Sequence, residues 1–276
     1  MVKNKLVVPF LKWVGGKRQL MPAIMELVPK EMTTYFEPFV GGGAVLFHLQ
    51  PKTAVVNDFN AELINVYRVV KTNVDELIVD LRKHLNEETY FYQIRGLDRT
   101  PEFKFLTDVE RASRIIYLNK TCFNGLYRVN QAGEFNAPFG KYKTPNIVNE
   151  PTLRAVHQYL NAHDIELLNT DYATVLQRAS KNSFVYLDPP YYPLTPSANF
   201  TGYVQGGWDE QDQIRLRQTC DELHQRGIKF LQSNSASNFI KEQYGHYTVS
   251  MVKAIRSINS NGEKRGEIDE VLIRNY

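Results

Sequence analysis

The run Asp188-Pro189-Pro190-Tyr191 follows the apolar stretch Phe184-Val185-Tyr186-Leu187, and its residue types suit chemistry better than they suit a turn. Pro190 pushes Pro189 out of helical geometry, and neither proline donates a ladder hydrogen bond. A buried strand must therefore stop at Leu187 and leave its last polar groups free. A planar nucleobase with an exocyclic amine fits such a place: Asp188 and the Pro189 carbonyl accept its two N–H bonds, and Tyr191 stacks on its ring. Two acceptors that hold the N–H groups out of the ring plane localise the nitrogen lone pair toward a methyl-sulfonium donor. The expected chemistry is methylation of an amine nitrogen; the plain alternative is a proline turn after a strand.

Three further places carry chemistry. Phe36-Glu37-Pro38-Phe39-Val40-Gly41-Gly42-Gly43 reads as a strand end, a glycine loop and the start of a helix through Ala44, Val45 and Phe47. It matches neither a GxGxxG fingerprint nor a phosphate loop, which weakens dinucleotide and nucleoside-triphosphate readings. Asp58 ends Ala54-Val55-Val56-Asn57, where an acidic residue after the second strand of a nucleotide-binding fold accepts ribose hydroxyls. Asp171 and Tyr172 follow the next strand in the same way and could hold an adenine edge and face. Helix capping is the alternative for both aspartates. Carboxyl ends of parallel strands gather on one sheet edge, so Gly41 to Gly43, Asp58, Asp171 and Asp188 should meet in one crevice.

At the N-terminus, Lys12-Trp13-Val14-Gly15-Gly16-Lys17 sets an indole and two lysines around a Gly-Gly turn. Lys17 could neutralise a donor's carboxylate, and Trp13 could wall the pocket, with core packing as its default role. Farther on, Cys122-Phe123-Asn124-Gly125-Leu126-Tyr127-Arg128-Val129-Asn130, and then Gly133 to Lys141, alternate turn residues with aromatics and cations. This suits a β-hairpin inserted in a DNA groove, with a solvated loop as the alternative. Arg128 could bind guanine bidentately, Leu126 and Pro138 could meet a thymine methyl, and Phe123 could wedge into a stack vacated by a flipped base.

The elements that must position these residues alternate. Tyr35 to Glu37, Ala54 to Val56, Ile165 to Leu168, Phe184 to Leu187 and Ile228 to Leu231 read as short buried strands. Leu63, Ile64, Tyr67 and Val70 share a helix face, as do Leu77, Ile78, Leu81 and Leu85. A helix from about Asp209 to Arg226 ends at Gly227. The expected fold is α/β, a Rossmann-like, mostly parallel sheet with helices on both faces. The rhythm breaks in between, so residues 1–85 and 164–276 are expected to form the catalytic domain and 86–163 an inserted helical and β-hairpin recognition domain. Within Tyr90 to Lys143 nine Lys/Arg face five Asp/Glu, a local excess that suits a polyanion.

Composition bounds the rest. A chain of 276 residues with 43% hydrophobic and 23% charged residues is an ordinary globular protein that can bury a full core. Its net charge of +3 is compatible with nucleic acid without predicting it. Cys122 and Cys220 lie far apart without ligand spacing, so they read as thiols and no metal site is expected. The N-terminal stretch is neither a signal peptide nor a membrane span, which predicts a cytoplasmic, nucleoid-associated protein without membrane contact.

Taken together, Lys12 to Lys17, Phe36 to Gly43, Phe123-Asn124-Gly125-Leu126-Tyr127-Arg128 and Asp188 to Tyr191, in that order, resemble the Dam-type, alpha-group DNA N6-adenine methyltransferases. The resemblance covers nearly the whole chain, and Arg256-Ser257-Ile258-Asn259-Ser260-Asn261-Gly262 is similar to that family's DNA-facing loop. It implies the class I S-adenosylmethionine-dependent fold. It also implies S-adenosylmethionine as donor, held by Trp13, Lys17, Phe39, Gly41, Gly43, Asp58, Asp171, Tyr172 and Asp188. The implied catalytic set is Asp188, Pro189, Pro190 and Tyr191. The implied target is the adenine of GATC in double-stranded DNA, faced by Lys12, Phe123, Asn124, Leu126, Arg128, Asn130, Pro138, Arg256 and Asn261. Phe123 stands where some members carry tyrosine, which keeps a wedge and loses a hydroxyl. A single flipped base needs only a monomer, and a cognate restriction endonuclease is a possible partner in the same system.

Three other readings compete. An RNA or protein amine methyltransferase keeps the donor chemistry, and a non-catalytic DNA-binding regulator keeps the insert but leaves the donor crevice without a purpose. A nicotinamide oxidoreductase explains Asp58 but not the two prolines.

Overall fold

The computed structural model describes residues 3–13, 15–194, 207–255 and 267–276; Arg256 and Asn261 lie outside them. Its elements run α1 (Met21–Leu27), β1 (Tyr35–Glu37), α2 (Ala44–Leu49), β2 (Thr53–Asn57), α3 (Ala61–Thr72), α4 (Val74–Leu81), α5 (Glu88–Gly96), α6 (Asp108–Thr121), α7 (Glu150–Ala162), β3 (Asp164–Leu168), α8 (Tyr172–Gln177), β4 (Phe184–Leu187), α9 (Glu210–Gln225), β5 (Lys229–Ser235), α10 (Asn238–Gln243), β6 (Thr248–Ile255) and β7 (Glu267–Arg274). The strands form one sheet in the order β3-β2-β1-β4-β5-β7-β6. The strands from β3 to β5 pair in parallel, and β7 runs antiparallel to both of its neighbours.

Successive side chains of a strand point to opposite faces, and both faces here are apolar. Tyr35, Ala54, Val56, Phe184, Tyr186 and Leu231 pack into one cluster with side chains of α1 to α7. Phe36, Val55, Val185, Leu187 and Phe230 pack on the other side with α8, α9 and α10. Burial of this kind is worth ~1.5–3 kcal/mol for each large aliphatic side chain, which is why the short strands β1 and β4 hold the centre of the sheet. Local signals set the helix starts. Asn60 caps α3 through the Leu63 amide, and Thr107 and Glu110 form a capping box on α6. Asp209 and Asp212 do the same on α9, which ends where Gly227 turns with φ +68, as its sequence predicts.

Two local expectations differ from what forms. Helix α4 stops at Leu81, and Leu85 is exposed, because the chain turns out of the helix through bonds from Lys83 and His84 to the Asp80 and Leu81 carbonyls. The stretch 122–141 doubles back on itself but pairs only through isolated bridges, Cys122 with Phe139 and Val129 with Phe135. Left-handed backbone at Asn124, Gly125, Gly133 and Lys141 interrupts the pleat, so a bridged loop takes the place of a regular hairpin. Its buried residues Tyr127, Phe135 and Ala137 belong to the same hydrophobic cluster as Val45 and Tyr67 beside the sheet. No helix among the described residues is long and apolar enough to cross a membrane, and none of their His, Cys, Asp and Glu clusters could hold a metal ion.

Candidate active site

The carboxyl ends of β1, β2, β3 and β4 open onto one cavity of about 1820 Å3, lined among others by Trp13, Lys17, Phe39, Gly41, Asp58, Asp171, Tyr172 and Asp188 to Tyr191. A pocket for one small molecule usually measures ~300–1,000 Å3, so this crevice has room for two ligands side by side. Gly41, Gly42, Asp58, Asp171 and Asp188 meet in this crevice as sheet topology predicts, whereas Gly43 does not line it and packs against Tyr67 and Phe47.

At β4, Asp188 is held from two sides. Its Oδ1 receives the Lys17 ammonium at 2.7 Å and the Ser233 hydroxyl at 2.9 Å. Burial pushes the Asp188 carboxyl above its usual range, while the Lys17 charge and hydrogen bond pull it back down. Among the described residues nothing donates to Asp188 Oδ2 or to the Pro189 carbonyl, so two acceptors stand free next to each other. The Pro190 carbonyl is tied to Gln213 Nε2 at 2.7 Å, and the Tyr192 amide to Asn234 Oδ1 at 3.2 Å. The proline segment is thus braced from α9 and β5. The Tyr191 hydroxyl donates to Glu270 Oε2 at 2.8 Å, and Lys17 Nζ sits 4.8 Å from the Tyr191 ring centre.

The glycine loop owes its glycines to the protein's own side chains. A Cβ on Gly41 would lie 2.8 Å from Trp13 Cδ1, and one on Gly43 would lie 2.6 Å from the Tyr67 hydroxyl, with φ +71. The Gly41 carbonyl accepts from Tyr67, and its amide donates to Asp58 Oδ2 at 3.0 Å. Asp58 Oδ1 accepts from the Asn60 amide, so both oxygens serve the backbone, and burial still raises its carboxyl to about 6. Asp171 caps α8 through the Ala173 amide and is gripped by both ends of the Arg215 guanidinium at 2.7 and 2.8 Å. That grip holds its carboxyl below the usual range. The capping alternative describes Asp171, whereas Asp58 precedes the Asn60 cap of α3 and fastens the glycine loop instead. Each retains lone pairs for a ligand, since an ionised carboxylate offers about four acceptor positions.

Trp13 is half-buried and stacks on Tyr127, with ring centres 4.9 Å apart. Phe39 meets Tyr172 at 5.2 Å and Trp208 at 5.6 Å, which gives the crevice an aromatic wall. The Tyr172 hydroxyl and the Trp208 indole nitrogen are buried without a hydrogen-bond partner among the described residues. Both atoms are shut off from the crevice, so the wall offers a ligand its ring surfaces and no polar group from these two side chains.

The DNA-facing set gathers around the bridged loop. Phe123, Asn124, Pro138 and Lys12 are exposed, and Leu126, Arg128 and Asn130 are half-buried. Asn119 staples the two segments by accepting from the Lys12 amide and donating to the Lys12 and Gly125 carbonyls. Arg128 gives its Nε and one Nη2 proton to the side chain and carbonyl of Asn136, leaving the end-on pair of its guanidinium for a base edge. Asn130 spends its side chain on closing its own turn with Ala132 and Glu134. Lys120, at the end of α6, lines the same cavity, and burial together with Lys12 lowers it to about 8.

Sequence reasoning passed over Glu37, Asn57, Trp208, Ser233 and Glu270. Glu37 is 2% exposed, accepts from the Tyr35 hydroxyl at 2.8 Å, and is raised to about 8 by burial. Asn57 ties the loop after β1 to the loop after β3 through the Pro38 and Thr170 carbonyls and the Thr170 amide. An acidic residue inside an aromatic strand is a readable signal for Glu37. For Ser233 and Glu270 the signal arises only once β7 is known to run antiparallel beside β5.

A family model for D12 class N6 adenine-specific DNA methyltransferases matches residues 13–258. The Type II methyltransferase M1.LlaDCHI of Lactococcus lactis subsp. cremoris is 42% identical, with 99% of this chain and 98% of that protein covered. The Type II methyltransferase M.MjaIII of Methanocaldococcus jannaschii is 41% identical over 98% and 99% of the two chains. The DNA adenine methylase of Escherichia coli K12 is 37% identical over 99% and 95%. The seven-stranded sheet with helices on both faces agrees with the class I methyltransferase fold, and the chain belongs to the D12 class of N6 adenine-specific DNA methyltransferases.

Proposed function

We propose that this protein moves the methyl group of S-adenosylmethionine to N6 of adenine in double-stranded DNA, at GATC, after the target base has rotated out of the helix. One observation carries the reading: Asp188 Oδ2 and the Pro189 carbonyl receive no donor among the described residues, and they line one cavity with Tyr191. An exocyclic amine has two N–H bonds to give and a ring to stack.

The residues suit the donor. Phe39, Tyr172 and Trp208 would take an adenine moiety against their rings. Asp58 would share a ribose hydroxyl, Asp171 the adenine edge, and Gly41, Trp13 and Lys17 would border the rest, with Gly43 shaping the loop behind them. When bound, S-adenosylmethionine would supply a methyl group on a sulfonium, whose S–C bonding pair would stay on sulfur as the N6 lone pair makes the N–C bond. Asp188 and the Pro189 carbonyl hold N6 in line and take up the charge on its N–H groups. N6 turns acidic only on methylation, so its proton leaves afterwards and no strong base is needed. Positioning and electrostatics then carry the rate.

Residues 86–163 serve in this reading as the recognition unit. Arg128 would read guanine, Leu126 and Pro138 the thymine methyl, and Lys12 the first base pair, while Phe123, with 54% of its surface exposed, would fill the space left by the flipped base. Asn124, Asn130, Arg256 and Asn261 would add DNA contacts, and a monomer suffices. The test is Asp188→Ala. Turnover is expected to vanish while the affinity for a GATC duplex stays within a few fold, and full activity in that variant would end the assignment.

A further inference from the structure

We infer that Glu270 is a positioning residue for Tyr191, which it orients and makes electron-rich at the place where the target base stacks; the inference rests on the functional reading above. Topology delivers Glu270 to the site. Strand β7 runs against β5, so its early residue Glu270 lies opposite Ser235, the last residue of β5, at the same edge as Asp188. Glu270 lines the cavity, and its Oε2 accepts the Tyr191 hydroxyl at 2.8 Å.

Tyr191 needs such a hold. Its ring belongs to neither hydrophobic cluster, and it follows two prolines whose bracing stops at the backbone. The Glu270 bond, the Lys17 ammonium over the ring and the Ser233 hydroxyl hold the phenol. Glu270 forms no ion pair among the described residues, so its carboxylate is available to the phenol. A phenol that donates to a carboxylate carries extra negative charge into its ring, and a cation over that ring is held more tightly. Lys17 already shows that this ring holds a cation. As N6 takes the methyl group the base becomes cationic, and an electron-rich Tyr191 favours that charge more than it favours the neutral base. An effect larger in the transition state than in the bound substrate raises kcat and leaves KM nearly unchanged.

The experiment compares Glu270→Ala, Glu270→Gln, Tyr191→Phe and the Tyr191→Phe/Glu270→Ala pair in methyl transfer to a GATC duplex, with thermal melting as the check on folding. Glu270→Ala is expected to lower kcat about tenfold or more with KM for DNA held within about threefold. Glu270→Gln, which keeps an oxygen acceptor and loses the charge, should recover only the part of the loss that comes from orienting the ring. In the Tyr191→Phe background, Glu270→Ala should cost nothing further, because the donor is already gone. An unaffected Glu270→Ala, or the same loss with and without the Tyr191 hydroxyl, overturns the inference while leaving the functional reading in place. Wild-type protein that transfers no methyl overturns both.

Discussion

Lys17→Met isolates the electrostatic support of the catalytic carboxylate. Lys17 is 4% exposed and lies 2.7 Å from Asp188 Oδ1, and Asp188 is 22% exposed. Methionine keeps the length and apolar stem of lysine and removes the charge and the donor. Burial already raises Asp188, and Lys17 provides the first two of the influences that lower it. An opposite charge this close favours the ionised carboxylate, so its loss should raise Asp188 further. Asp188 accepts most strongly from N6 when ionised, so the acid limb of kcat/KM should move to higher pH, with activity recovering above it. The assay is labelled methyl transfer to a GATC duplex in steps from about pH 5 to about pH 9. An acid limb at the same pH in both proteins, or one uniform loss at every pH, would refute the argument and leave Lys17 only a donor-binding role.

Other consequences follow from single contacts. Arg128→Ala should relax discrimination at the outer G·C pair by about 1–3 kcal/mol, measured as the ratio of kcat/KM on GATC and on duplexes altered at that pair; an unchanged ratio would remove Arg128 from direct readout. Glu37 rises from 4.5 to about 8, so the folded state binds its proton more tightly than the unfolded chain does. Stability from this group is full below about pH 4.5 and falls as pH rises toward about 8, by at most on the order of 5 kcal/mol. Glu37→Gln should flatten the melting temperature across that window, and a profile parallel to wild type would contradict the assignment. Gly43→Ala forces a Cβ into the left-handed region against Tyr67 and Phe47 and should cost ~1–3 kcal/mol in denaturant unfolding; a neutral result would show that the loop adapts freely.

Much of this was legible because the chemistry sits at strand ends. The apolar runs before Pro38, Asp58, Asp171 and Asp188 each stop at a residue that cannot continue a buried strand, and parallel strands expose those stops on one edge. Partners contributed from elsewhere were not legible. Lys17 reads as a cation for the donor, yet its nearest anion here is Asp188, a pairing across the sheet that no spacing encodes. Asp58 and Asp171 read as ligand contacts, and in the structure their oxygens fasten the loop and helix beside them. The glycines read as room for a ligand, whereas Trp13, Tyr67 and Phe47 fill that space. Strand β6 carries an alternating signal in Thr248-Val249-Ser250-Met251-Val252 that is easily lost beside the stronger buried strands, and with it goes the reversal that brings Glu270 to Tyr191.

The most direct test of the central claim incubates the wild-type protein with labelled S-adenosylmethionine and a duplex containing one GATC. The controls are the same duplex with that adenine replaced and a structured RNA, and the products are digested to nucleosides. The account predicts label in N6-methyladenine from the intact duplex alone. Label at another base, label in the RNA, or DNA binding without label would contradict it.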